Sequence, residues 1–231
     1  MPRLVLLLMC LGAFCSPRHL YGQLLVNGGF ESPVLSPGSY LTITPGTEPS
    51  GFGWSVLSGS VDVGYTPILP FVAYPAYQGN QGLDLNGVNR GAIFQDFATV
   101  LGKTYTVSFA YADNPDELGQ LKSASVVVTN VANSAILMSD NIFHSSSTNI
   151  PPNADFFIFG DSFVATGTNT RLTISSTSAS NTASGGIFID AVSVAVAVPE
   201  PSSLLLLGSA GVLGVSATTY WKRRKHNRKV I

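Results

Sequence analysis

Cysteine is nearly absent from this chain: 231 residues contain two, Cys10 and Cys15, both inside the leading apolar segment. Removal of that segment leaves a mature chain without a thiol, which excludes disulfides and thiolate metal sites and requires the domain to be held by its own core. Histidine is equally scarce, and His144 is the only one between residues 23 and 200. No G-x-S-x-G or H-E-x-x-H pattern occurs, and the glycine-rich pieces lack phosphate-loop spacing, so nucleophile-base dyads and histidine-zinc sites have little to build on. Charged residues make up only 11% of the chain. Between residues 23 and 200 the cations are Arg90, Lys103, Lys122 and Arg171, against thirteen carboxylates, a balance of −9. A domain this acidic argues against nucleic acid or anionic lipid as its partner, and it favours bound cations. No convincing amphipathic helix precedes residue 203.

The two ends carry addresses. Arg3 precedes an apolar stretch from Leu4 to Phe14 followed by small and polar residues, the layout of a cleaved secretory signal over residues 1–22. The stretch is short of the roughly 20 apolar residues that span a bilayer. Cys15 and Gly22 both qualify as its last residue. At the other end, residues 203–221 carry no charge and predict a helix about 28 Å long, close to a hydrocarbon core of about 30 Å. Tyr220 and Trp221 sit at the position of an aromatic belt, and Lys222, Arg223, Arg224 and Lys225 open a basic tail over 222–231. The positive-inside rule places that tail in the cytoplasm and the preceding domain outside.

Pro199, Glu200 and Pro201, followed by a glycine-containing apolar run and an arginine cluster, resemble the PEP-CTERM sorting signal of bacteria that make extracellular polysaccharide. The resemblance covers residues 199–231. It implies an exosortase-type membrane enzyme as partner, cleavage near the Pro-Glu-Pro motif, and transfer to the envelope or its matrix. The two prolines keep this segment extended and open to a processing enzyme.

Between the ends, short alternating runs recur, bounded by Gly, Asn, Ser or Pro. In Thr104–Tyr111 the aromatic and apolar residues Tyr105, Val107, Phe109 and Tyr111 fall on one face at a period of two. Similar runs lie at 52–57, 60–64, 82–86, 92–98, 123–129, 155–165, 170–176 and 186–196. Nine or more strands with polar turns over 23–198 predict an all-β jelly-roll sandwich. Residues 131–154 read as a long loop holding at most one strand, and 177–186 as a second connection.

The order NGGFE (27–31), Gly53-Trp54, SVDV (60–63), QGLDLNG (81–87), GAIFQDF, GKTYTVSFAYADNP and GIFIDAVSV resembles the galactose-binding-like extracellular domains called choice-of-anchor C, to which a plant cell-wall domain is related. The resemblance implies a jelly roll that binds carbohydrate or extracellular matrix and has no established catalysis. In related carbohydrate-binding modules an acidic residue of the first strand and one of the last share a structural Ca²⁺. Glu31 and Asp190 occupy those places here, and an acid inside an apolar closing strand is costly unless paired or coordinated. Otherwise Glu31 is an exposed turn residue and Asp190 caps a bulge.

Ligand-binding candidates come from the loop after the third run, where Tyr65, Tyr74 and Tyr77 (with Phe71) stand among prolines; rings on a stiff loop stack on sugar faces. Equally, these rings pack the loop onto the sandwich. Trp54, within an alternating run, reads as core. A glycosidase would draw paired carboxylates from Asp84, Asp96, Asp113 and Asp116, yet in so acidic a domain these read first as solvated acids. A structural matrix protein without a discrete ligand is the remaining alternative.

Overall fold

The computed structural model describes residues 23–66, 75–114, 119–145, 155–181 and 185–197. The signal segment, Tyr74, the motif Pro199-Glu200-Pro201, the apolar run 203–221 and the basic tail lie outside them. Among the described residues no helix is long and apolar enough to cross a membrane.

Among the described residues eleven strands form two antiparallel sheets. The first, of six strands, contains β1 (Tyr40–Ile43), β3 (Val61–Tyr65), β4 (Gln81–Asp84), β6 (Thr104–Asp113), β9 (Phe157–Val164) and β11 (Ile187–Val196), in the order β1-β3-β4-β11-β6-β9. The second contains β2 (Ser55–Ser58), β5 (Ala92–Ala98), β7 (Lys122–Asn130), β8 (Ile136–His144) and β10 (Asn169–Ser176), in the order β2-β5-β10-β7-β8. This is a jelly-roll sandwich, with sequence-distant strands brought side by side.

The core follows from alternation. In β7 every second residue from Lys122 to Asn130 is buried and those between are half-exposed, because a strand with one face on the core and one towards solvent alternates at a period of two. Val107 and Phe109 of β6, Leu172 and Ile174 of β10, and Ile187 and Ile189 of β11 are buried between the sheets. Aromatic pairs extend the core towards β9, with Phe109 stacked on Phe159 at 4.8 Å and Tyr105 on Phe163 at 5.5 Å. Trp54 is buried as its alternating run predicts, and its Nε1 donates to the Asn27 carbonyl at 3.1 Å.

Strand β1 lies outside the alternating runs of the sequence, and the one strand allowed within 131–154 is present. The segment read as a loop from 131 to 154 contains β8, nine residues paired along their length with β7. Its polar Ser139 and Asn141 are outward positions of an edge strand, while Met138 and Ile142 point inwards. Strand β1 is only four residues long and lies in a proline- and threonine-rich stretch that carries little periodicity.

Before β1 the chain is irregular but not free. Leu24 N donates to Val194 O at 3.3 Å and Val192 N donates to Gly28 O at 2.8 Å, so residues 24–28 run along β11. Strand β11 shifts register between Asp190 and Ser193, and Ala191 adopts φ 54° there. The bulge re-aims the chain beside Asp190.

Candidate functional site

Glu31 and Asp190 meet at that bulge under one stretch of backbone. Asp190 lies on the outer face of the six-stranded sheet, opposite Ala110, yet is fully buried because residues 77–81 cross over it. Its Oδ2 accepts the Gln78 amide at 2.8 Å, the Tyr77 amide adds a further bond, and its Oδ1 accepts its neighbour Ala191. Glu31 Oε1 accepts the amides of Asn80 at 2.7 Å and Gln81 at 2.9 Å. Gln81 completes the frame: its Nε2 donates to the carbonyls of Phe30 and Pro33, and its Oε1 accepts Leu35 N at 2.7 Å. Burial, with the neighbouring Glu31 charge adding to it, pushes the Asp190 carboxyl up to about 7 despite these amides.

Glycine makes the crossing possible at residue 79. Gly79 adopts φ +70°, and a Cβ there would stand 2.1 Å from Glu31 Oε1. At Gly29 a Cβ would stand 3.8 Å from Asp190 Oδ1 and 3.9 Å from Glu31 Cγ, so both side chains border the same small space. Calcium takes about six to eight oxygens. The pair supplies two carboxylates, and among the described residues no group of three acidic, histidine or cysteine side chains converges. A cation here would complete its shell with carbonyls and water.

Tyr77 rises from the same stretch. Its ring, 51% exposed, meets Phe156 edge-on at 5.4 Å, and Phe156 lies 6.3 Å from Phe188 of β11. Phe188 lies against Gly82, where a Cβ would fall 2.4 Å from its ring. Three rings therefore climb from the outer face of the sheet to solvent beside the Glu31–Asp190 pair. Tyr77 is a ligand candidate in the sequence, whereas Phe156, inside the 155–165 run, reads there only as a strand residue. Tyr65 closes β3, pairs with Gln81 and is half-buried; no ring contact joins it to Tyr77 among the described residues. Tyr74 lies outside them.

The other polar cluster occupies the end of the sandwich where β11 begins. Asp62 and Asp84 are directly opposed in the β3–β4 pairing. Asp84 is buried, accepts the Asn86 amide at 2.9 Å and the Asn114 side chain, and is pushed up to about 8, chiefly by burial and further by Asp62. Burial also raises Asp62, against a hydrogen bond from Thr42. Lys122 of β7 crosses the core to Asp113 of β6 at 2.8 Å, both side chains almost wholly buried. Asp96 is held by Arg171 through two bonds of 2.6 and 2.9 Å, and the guanidinium lies 3.9 Å over Phe94. His144 is buried with Nε2 on the Asp155 carbonyl at 2.8 Å.

A curated relative from Arabidopsis thaliana, Protein DUF642 L-GALACTONO-1,4-LACTONE-RESPONSIVE GENE 2, is 38% identical over 103 residues, 42% of this chain and 27% of that protein's length. The chain thus matches little more than a quarter of that relative. Among solved structures, the carbohydrate-binding module TmCBM61 in complex with beta-1,4-galactotriose is similar with TM-score 0.48 and 14% identity, over 76% of this chain and 99% of that one. The CBM22-1 xylan-binding domain of Paenibacillus barcinonensis Xyn10C is similar with TM-score 0.41 and 14% identity, over 70% and 97%. The PEP-CTERM protein-sorting motif matches residues 197–224, which marks the chain for export and sorting to the cell surface. The family model described as "Protein of unknown function (DUF642)" matches residues 23–195, from the irregular leader into the last strand, and the chain belongs to the DUF642 family.

Proposed function

We propose that this protein is an exported, surface-anchored, non-catalytic binder of carbohydrate or extracellular matrix, and that Tyr77 carries the contact. The supporting observation is the placement of its ring. It stands half-exposed, is braced edge-on by Phe156, and is fixed at its backbone by the amide bonds of 77 and 78 to Asp190. An aromatic ring held rigid before binding stacks on a sugar face with little further loss of conformational freedom. Tyr65 and Tyr74 belong to the same reading as flanking contacts. The −9 balance between residues 23 and 200 favours a neutral glycan over nucleic acid.

Catalysis is disfavoured by what the candidate acids already hold. Of the four, Asp84 is held by Asn86 and Asn114, Asp113 by Lys122 and Asp96 by Arg171, and Asp116 lies outside the described residues. A glycosidase needs one carboxylate free to meet the leaving oxygen and another facing the anomeric carbon or its attacking water.

Calcium belongs to the same proposal. An ion between Glu31 and Asp190 would tie the head of the domain to its closing strand and hold the stretch that bears Tyr77. Anchoring uses the apolar run 203–221 and the tail from Lys222, with exosortase-type processing near Pro199, Glu200 and Pro201; mass spectrometry of the surface-released form should place its carboxy terminus close to that motif. A glycan array with the purified domain, residues 23–198, with and without calcium, tests the binding. Binding lost in Tyr77→Ala supports the reading, whereas retention in polysaccharide matrix through self-association, with a blank array, favours a purely structural matrix protein.

A further inference from the structure

Three turns build the end of the sandwich from which β11 departs. Residues 99–103 join β5 to β6, 131–135 join β7 to β8, and 165–168 join β9 to β10. Hydrogen bonds stitch them into one surface. Thr99 N donates to Thr168 O at 3.0 Å, Gly102 N to Ala165 O at 2.8 Å, Val131 N to Asn169 O at 3.2 Å, and Asn130 Nδ2 to Thr166 Oγ1 at 3.0 Å. On this braced surface the apolar side chains point out: Val100 is 59% exposed, Leu101 68%, Ile136 67% and Val164 52%. Apolar residues at turn tips are normally replaced by polar ones, and a group of them on a rigid support marks an interaction surface.

Charge separates this end from the rest. Residues 98–104, 130–136 and 164–169 contain no carboxylate and a single cation, Lys103, in a domain otherwise rich in acids. The opposite end carries Asp84, Asp113, Lys122 and Arg90. Position adds a third observation. Strand β11 ends at Val196, paired with Tyr105 of β6, and on the other side of β6 the neighbouring residue Thr104 pairs with Val164 of β9. The chain thus leaves the sandwich beside the apolar tip. Only residues 197–202 precede the apolar run at 203, and six extended residues reach at most about 20 Å.

We propose that this tip is a lipid-facing surface: in the anchored chain Val100, Leu101, Ile136 and Val164 enter the interfacial layer of the bilayer, and the Lys103 ammonium meets headgroup phosphate. The proposal rests on the membrane-anchored reading above. The acidic remainder of the domain is repelled by an anionic leaflet while its acid-free tip is not, so docking would orient the sandwich with the Tyr77 face clear of the lipid.

The test uses the full chain, with Cys10→Ser and Cys15→Ser, reconstituted into phosphatidylcholine vesicles. A single cysteine at Leu101→Cys, or at Val88→Cys on the opposite end, carries an environment-sensitive fluorophore, and flotation is scored separately. The expected result is a blue-shifted emission at 101, quenched several-fold by spin-labelled lipid, with 88 behaving as in water; Val100→Asp should abolish the shift at 101. A chain that floats with its vesicles while 101 stays unquenched overturns the tip proposal and leaves anchoring intact. A chain that does not float overturns both. Shielding at 101 accompanied by crosslinking between copies assigns the tip to a second copy of the chain and overturns the lipid assignment.

Discussion

Glu31 at the head of the domain and Asp190 in its closing strand are capped by backbone amides of one stretch, Tyr77 to Gln81, so the first and last parts of the sandwich share a latch. Glu31→Ala strands two amides, and hydrogen bonds to charged groups contribute about 1.5–3 kcal/mol. Such a loss lowers the melting temperature of a domain this size by several degrees. Gly79→Ala should have a similar effect, because its Cβ and its positive φ both force the stretch off Glu31. Thermal denaturation followed by circular dichroism measures both.

If calcium sits at the latch, it stabilises only the folded state, by about 2.7 kcal/mol at a hundredfold excess over its dissociation constant. Chelator then lowers the melting temperature of the unmutated domain by several degrees and has no further effect on Asp190→Ala. Equal chelator sensitivity in both would make these two residues ordinary structural acids.

Stability should fall as pH rises. Asp190 and Asp84 hold their protons more tightly in the folded chain than an ordinary carboxyl near 4, up to about 7 and about 8. Their contribution is therefore full below about pH 4 and is lost as pH rises through those values. Urea midpoints for the calcium-free domain should decline from pH 5 to pH 8.5, and Asp84→Asn should flatten the upper part of the slope. A midpoint that climbs across this range would contradict the burial of these two groups.

Lys122 and Asp113 form a buried cross-sheet pair. Removing one partner leaves the other desolvated and uncompensated, which costs about 3–5 kcal/mol. Lys122→Met should therefore be strongly destabilising, and Lys122→Met with Asp113→Leu should recover most of the loss. Chemical denaturation of the single and double variants supplies the cycle.

The sheet was legible wherever a strand had one dry face. Thr104–Phe109 of β6 and Ala191–Ala195 of β11 alternate clearly, whereas Ile187–Asp190 is buried throughout. Strand β8 was legible only as the one strand allowed within a long loop, since it lies at an edge and its outward Ser139 and Asn141 look like loop residues. At the site, Asp190 stood out because an acid in an apolar strand needs a reason, and Glu31 came from the family resemblance. The Tyr77–Phe156 contact and the capping amides of 77–81 were invisible. Backbone donors have no sequence signature, and the run 155–165 marks Phe156 as a strand residue without showing its contact with the distant Tyr77. The tip formed by Val100, Leu101, Ile136 and Val164 was hidden for the same reason, being assembled from three turns far apart in sequence.

Titration of the purified domain with the strongest glycan from the array, comparing the unmutated protein with Tyr77→Ala by calorimetry, tests the central claim most directly. An aromatic stacking contact contributes about 0.5–1.5 kcal/mol beyond the area it buries, so Tyr77→Ala should weaken binding by about twofold to about tenfold with its melting temperature unchanged. Equal affinity in the two proteins, with both folded, would contradict the account and move carbohydrate recognition away from this face.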